Sequence, residues 1–358
     1  MKGFVSSRWH PIVTLLIWAA LMLGAFCIGY LLILLLGRSV FGLASLSDFS
    51  AVMQSPQRYP QGWAFTMLSQ GLLLFIGFGC SALALVALSG SGIVPYFAPR
   101  RPIPGWWLLA AGLLILVTIP LMSGLIDWNA HAHFPAFLKD MEASARAMED
   151  RAQELTKYLT QFSSPARFLI GLLVIAVVPA ISEELVFRGV IQRNLVQWFG
   201  SRHVGVWTAA VIFSAIHFQF FGFVPRLVLG VLLGYLYEWS GNILVPMAAH
   251  FTQNAFQLVL LYLQQRHIGN AFNPDSTESL PWPLVLGSAA LTALLLLSLR
   301  RWLAAPVATD EAALPTEMHT LSSGGAAVTT PTSYVPPMGR TLGRAGIDGS
   351  REDSPAQS

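Results

Sequence analysis

The chain has 358 residues, 54% of them hydrophobic and only 11% charged, with a mean hydropathy of +0.59. A soluble domain carries about 25% charged residues, so the composition excludes an ordinary water-soluble globular protein and points to a chain that crosses a membrane several times. The formal net charge of +3 comes from arginines between apolar runs and marks no nucleic-acid partner.

Apolar runs long enough to cross a bilayer, about 17–25 residues each, occur in chain order at roughly 11–36, 63–88, 105–126, 166–198, 203–222, 223–239, 242–264 and 281–299. They predict an all-α fold, a multi-spanning membrane helix bundle with about eight transmembrane helices. The first run is too long for a signal peptide and lacks a small-residue cleavage site, so it is read as a retained span. Cys27 and Cys80 fall mid-span, where packing is expected of them rather than a disulfide or a metal. Between the fifth and sixth runs, Phe220-Phe221-Gly222-Phe223 reads as a tight turn or a re-entrant corner.

Orientation follows from short basic loops. Lys2 and Arg8, Arg100 and Arg101, Arg193 and Arg202, and Arg300 and Arg301 all fall on one side of an eight-span bundle. That predicts cytoplasmic N- and C-termini, with Arg38 and Arg58 as mild exceptions. Lysine is scarce beside arginine, as in a GC-rich bacterial genome, so the expected location is a bacterial inner membrane.

Five regions result. Residues 1–127 hold three spans and no ionisable constellation. Residues 128–165 are charged, and their apolar positions Leu138, Met141, Ala145, Met148, Ala152, Leu155 and Leu159 alternate by three and four. That is a helical seam, predicting an amphipathic extramembrane helix; a dimerising coiled coil or a substrate gate is the sharper alternative. His131 and His133 just before it are a weak metal pair. Residues 166–265 carry every polar feature with chemical potential, 266–302 hold the last span, and 303–358, rich in Ser, Thr, Pro, Gly and Ala, are expected to be disordered. There is no internal repeat.

The chemistry begins at Ser182-Glu183-Glu184-Leu185-Val186-Phe187-Arg188. An acidic side chain at bilayer depth costs roughly 2.5–3.5 kcal/mol on insertion scales, so two adjacent ones imply a cavity, a proton path or a cation site. Glu184 and Arg188 share a helix face at i,i+4, while Glu183 is rotated about 100° away. The simplest division is a structural Glu184–Arg188 pair and a free Glu183 available as a general base. Pro179 is expected to kink the helix beside them. His217, and His250 with Asn254 at i,i+4, lie in two later runs. They suit an oxyanion hole or a metal site, or a polar packing seam. At about 1.5 Å per residue, Glu183, His217, His250 and Asn254 lie roughly 22, 21, 12 and 18 Å from the inner ends of their runs, so they can share one layer.

Taken together, Glu183-Glu184-x-x-x-Arg188, Phe213-x-x-x-His217 and His250-x-x-x-Asn254 resemble the motifs of the CPBP family of intramembrane proteases, which includes the Rce1-type CAAX prenyl endopeptidases and the bacterial Abi proteins. The resemblance covers about residues 166–265. It implies peptide-bond hydrolysis of a membrane-associated protein or peptide in the bilayer. Glu183 would activate water with help from His217, His250 and Asn254 would stabilise the oxyanion, and Glu184 with Arg188 would support them. No cofactor is required on this reading. Zinc held by Glu183, His217 and His250 is the alternative, which would make the enzyme a metalloprotease. Two other classes remain: a non-catalytic membrane scaffold or bacteriocin-immunity protein, and an ion-coupled transporter, against which the absence of a duplicated half speaks.

Overall fold

A computed structural model describes residues 9–100, 102–268 and 278–304. It divides into Met1–Val307 and Ala308–Ser358; the second unit, with the expected disorder of the tail, lies outside the described residues, as do Lys2, Arg8 and Arg101. All regular structure among the described residues is helical. The helices in chain order are α1 (Pro11–Phe41), α2 (Leu46–Gln54), α3 (Gly62–Ser89), α4 (Ile93–Phe97), α5 (Trp106–Ala130), α6 (Lys139–Leu159), α7 (Pro165–Phe199), α8 (Arg202–Ala215), α9 (Phe223–Ser240), α10 (Leu244–Gln265) and α11 (Trp282–Ala304).

Local signals explain many of the ends. Pro11 opens α1 where its missing N–H costs nothing, and Gly42, at φ 67°, closes it. Gly90, Gly200 and Gly241 close α3, α7 and α9 in the same left-handed conformation.

Six helices, α1, α3, α5, α7, α9 (with the preceding turn from Phe220) and α11, are long and apolar enough to cross a membrane. Two of the eight expected runs differ in kind. The 14-residue α8 reaches only about 21 Å, short of a hydrocarbon core of about 30 Å. Phe220–Gly222 forms the expected corner as a single 3₁₀ turn. The 22 residues of α10 are long enough, but His250, Thr252, Gln253 and Asn254 dilute their apolarity. Leu16, Leu23 and Leu35 of α1 each keep more than 60% of their surface exposed, a lipid-facing belt that water would penalise. Cys27 is on that exposed side and Cys80 is half-buried; both are free thiols. Cys27 is therefore not the packing residue expected.

The bundle has two main cores. One joins Trp18 of α1, Leu85 of α3, Phe187 and Val190 of α7 and Phe213 of α8. The other joins Leu114 of α5, Leu233 and Leu236 of α9, Ala249 of α10 and Leu299 of α11. At one end, Arg100 Nη1 donates to the carbonyls of Trp239 and Leu303, and Asn242 Nδ2 donates to the Arg100 carbonyl. At the other, Trp63 Nε1 donates to the Leu159 carbonyl and Gln265 Nε2 to that of Thr160.

The charged segment does form a helix, α6, but its seam is rotated from the expected one. Met141, Met148 and Leu155 face outward, whereas Glu142, Arg146 and Glu149 are partly covered. The reason is what α6 docks on. Glu142 accepts from the Phe134 N–H at 2.8 Å, and Arg146 donates to the carbonyls of Ala130 and Ala132 and lies 4.1 Å over the Phe221 ring. Polar backbone and an aromatic face select ions over alkyl chains. Leu159 alone of that seam is deeply buried, with Trp63 and Met67. His131 and His133 pair with different acids, Asp127 and Glu142, and do not converge as a metal pair.

Candidate active site in α7 to α10

The site is built on α7, a helix of 35 residues interrupted by two π-helical stretches, Leu172–Val177 and Leu185–Gln192. The first ends just before Pro179, whose ring cannot sit under a normal i−4 carbonyl; widening by one residue per turn relieves that. The second carries Arg188. Such π segments are frequent at functional sites.

Glu184 has no exposed surface and Arg188 only 2%. Arg188 Nη1 donates to Glu184 Oε1 at 2.9 Å and Nη2 to the Gly230 carbonyl at 3.1 Å. The guanidinium also lies 5.1 Å over the Phe213 ring. His250 Nδ1 meets the same Glu184 Oε1 at 2.8 Å. A carboxylate only accepts, so Nδ1 carries the proton and Glu184 fixes the tautomer. Nε2 of His250 then faces Glu183 Oε2 at 3.9 Å. Glu183 is 9% exposed. Glu184 Oε2 and Ser182 Oγ are buried without partners among the described residues, which leaves acceptors for a water or a substrate group.

His217 is held by its Nδ1, which donates to the Phe213 carbonyl at 2.8 Å, so the neutral ring presents Nε2 as an acceptor. Both histidine rings pack edge-on to Phe213, with centroids at 5.2 Å for His217 and 6.2 Å for His250. Asn254 is half-buried, one turn beyond His250 on α10. The structure thus joins Glu183, Glu184, Arg188 and His250 directly and sets His217 against them through Phe213. His250, expected beside Asn254 as an oxyanion donor, is engaged through Nδ1 by Glu184; Nε2 donates only when the ring carries a second proton. Among the described residues no three His, Cys, Asp or Glu side chains gather closely enough to hold a metal ion, so Glu183, His217 and His250 do not form a zinc set as placed.

Three features escaped the sequence reading. Gly230 and Gly234 form a G-x-x-x-G pair, a known signature of close helix approach. A Cβ at Gly230 would sit 3.0 Å from that of Ala210, and one at Gly234 would sit 2.8 Å from Gln192 Oε1. Their carbonyls accept from Arg188 and from Gln192 Nε2, the latter at 3.0 Å, so α7 and α9 are laced by buried polar rungs. Phe213 was read only as a motif position, not as the shared surface of a guanidinium and two imidazoles. Arg226, an arginine inside an apolar run, carried the same intramembrane-charge signal as the glutamates.

Residues 165–256 match the family described as Type II CAAX prenyl endopeptidase Rce1-like. A curated relative, the uncharacterized protein YpbD of Bacillus subtilis (strain 168), is 42% identical over 80 residues, covering 21% of this chain and 38% of the relative. The matched stretch therefore spans well under half the length of either protein. No solved structure matches the chain. The fold and the site define a multi-pass helical membrane protein. Within it, residues 165–256 are the segment that is similar to the Rce1-like family.

Proposed function

We propose that the chain is an intramembrane endopeptidase that hydrolyses a peptide bond of a membrane-associated protein or peptide with a water activated by Glu183. The observation that carries this reading is one buried arrangement: Glu184 neutralised by Arg188 and bonded to His250, with the His250 Nε2 turned toward a Glu183 that has no arginine of its own. Glu183 takes a proton from water, and the His217 Nε2 assists. The resulting hydroxide attacks the carbonyl carbon, and the oxyanion is stabilised by Asn254 and by His250 once its Nε2 is protonated. The protons then pass to the leaving amine, so that the peptide and one water become a carboxylate and an amine. No metal is used. The lipid bilayer delivers the substrate, and no nucleic acid is involved.

The test compares membrane proteomes of cells carrying the parent chain or Glu183→Gln, searched for new protein termini. The amide is nearly isosteric but cannot accept the proton. General-base catalysis contributes about 10²–10⁴-fold; a variant keeping more than about a tenth of the parent rate rules out this role for Glu183. Purified active protein should hold well under one zinc per chain. Near-stoichiometric zinc, lost with activity on chelation and restored on re-addition, overturns the metal-free mechanism.

The five basic sites Arg100, Arg193, Arg202, Arg300 and Arg301 lie at one end of the bundle, the end marked by the contacts of Arg100 with Trp239 and Leu303. This supports a cytoplasmic placement of that end in a bacterial inner membrane.

A further inference from the structure

One cation beside this site has no assigned task. Arg226 lies in the first turn of α9, just past the Phe220–Gly222 corner, and is half-buried. Its guanidinium donates to the Gln219 carbonyl at 3.3 Å and to Gln219 Oε1. Among the described residues no carboxylate oxygen comes within the 4.0 Å of an ion pair. The two carboxylates whose charges reach it are Glu183 and Glu149 of α6. A guanidinium offers five N–H donors in a planar fork, and two are used.

The corner around it is shaped for that group. A Cβ on Gly222 would come within 2.6 Å of Arg226 Nη2, so glycine there lets the guanidinium fold back over the turn. On the same corner, Phe218 follows His217 directly, holds a left-handed φ of 51° and leaves 75% of its surface exposed. Bulky residues avoid that conformation, and such strain clusters at ligand sites. An unpaired cation and an outward aromatic therefore flank the imidazole assigned to the reaction.

We infer that Arg226 binds a carboxylate of the substrate, with Phe218 against a neighbouring apolar side chain, so that the corner positions the scissile bond over Glu183 and His217. This rests on the protease reading. The carboxylate comes either from a chain terminus or from an internal Asp or Glu.

The test uses the full chain in lipid nanodiscs, carrying Glu183→Gln so that nothing is cut. Three fluorescein-labelled probes share one apolar sequence: a free C-terminal acid, its C-terminal amide, and the amide with one internal Glu. With Arg226 present, one acidic probe should bind about 10-fold or more tighter than the neutral amide, as expected of a charge-assisted fork. Which probe wins identifies the source of the carboxylate. Arg226→Gln should erase the preference and Arg226→Lys should restore part of it. Gly222→Ala, which keeps the charge but displaces the fork, should weaken the preference too, and it serves where Arg226→Gln fails to fold. Equal affinity for all three probes with Arg226 intact, or a preference unchanged in a folded variant, overturns the inference. Loss of Glu183-dependent cutting in the proteome would sink the protease reading while leaving these affinities unmoved, so the two failures are distinguishable.

Discussion

Arg188 makes the site possible, because without it the Glu184 charge would be answered only by the His250 N–H in a dry interior. Arg188→Ala should therefore cost about 3–5 kcal/mol, the penalty for stranding a buried partner, and should abolish activity. Arg188→Lys should rescue only in part, because a single ammonium cannot span Glu184 Oε1 and the Gly230 carbonyl as the fork does. Thermal unfolding in detergent measures this, and equal melting temperatures for parent and Arg188→Ala would contradict the burial seen. Asn254 tests the oxyanion role. Asn254→Ala should lower the chemical rate by about 10²–10³-fold with little change in substrate binding. Single-turnover kinetics separate the two; a pure binding defect would reassign Asn254 to substrate positioning. At this scale the acid pair and its arginine were legible in the sequence, since i,i+4 spacing on a helix fixes a shared face. The bond from His250 to Glu184 was not, because 66 residues separate them and only the packing of α10 on α7 brings them together.

At the scale of elements, α6 is fastened to the bundle through ions. The Phe134 N–H, followed by the Arg146 side chain, holds the Glu142 carboxyl down from 4.5 to about 2. A depressed carboxylate contributes stability that is fully present above its unfolded value and is lost as pH falls through the folded one. The N-terminal turn of α6 should therefore stay docked above about pH 4.5 and loosen as pH falls toward about 2. Hydrogen exchange across residues 139–150 would follow this, and Glu142→Gln should remove the pH dependence. Periodicity correctly made this segment a helix. It misplaced the buried face because the docking surface offers carbonyls, an N–H and an aromatic ring, and these outcompete methionines for the inner side.

For the whole molecule, the arginine-rich end and the end bearing α6 lie on opposite sides of the bundle. Reporter fusions at Asp140 and immediately after Arg301 should then report opposite sides of the membrane, and a shared side would refute the topology. By itself the sequence determined the class of fold, the Rce1-like segment and the identity of the polar residues, because apolar runs of bilayer length satisfy their own backbone only as helices and make every intramembrane charge conspicuous. Tertiary structure alone decided which imidazole meets which carboxylate, how Gly230 and Gly234 let α9 approach α8 closely, and that no carboxylate among the described residues forms an ion pair with Arg226. Those outcomes depend on helix rotation and close approach between distant segments, and the spacing of residues within one segment does not encode them.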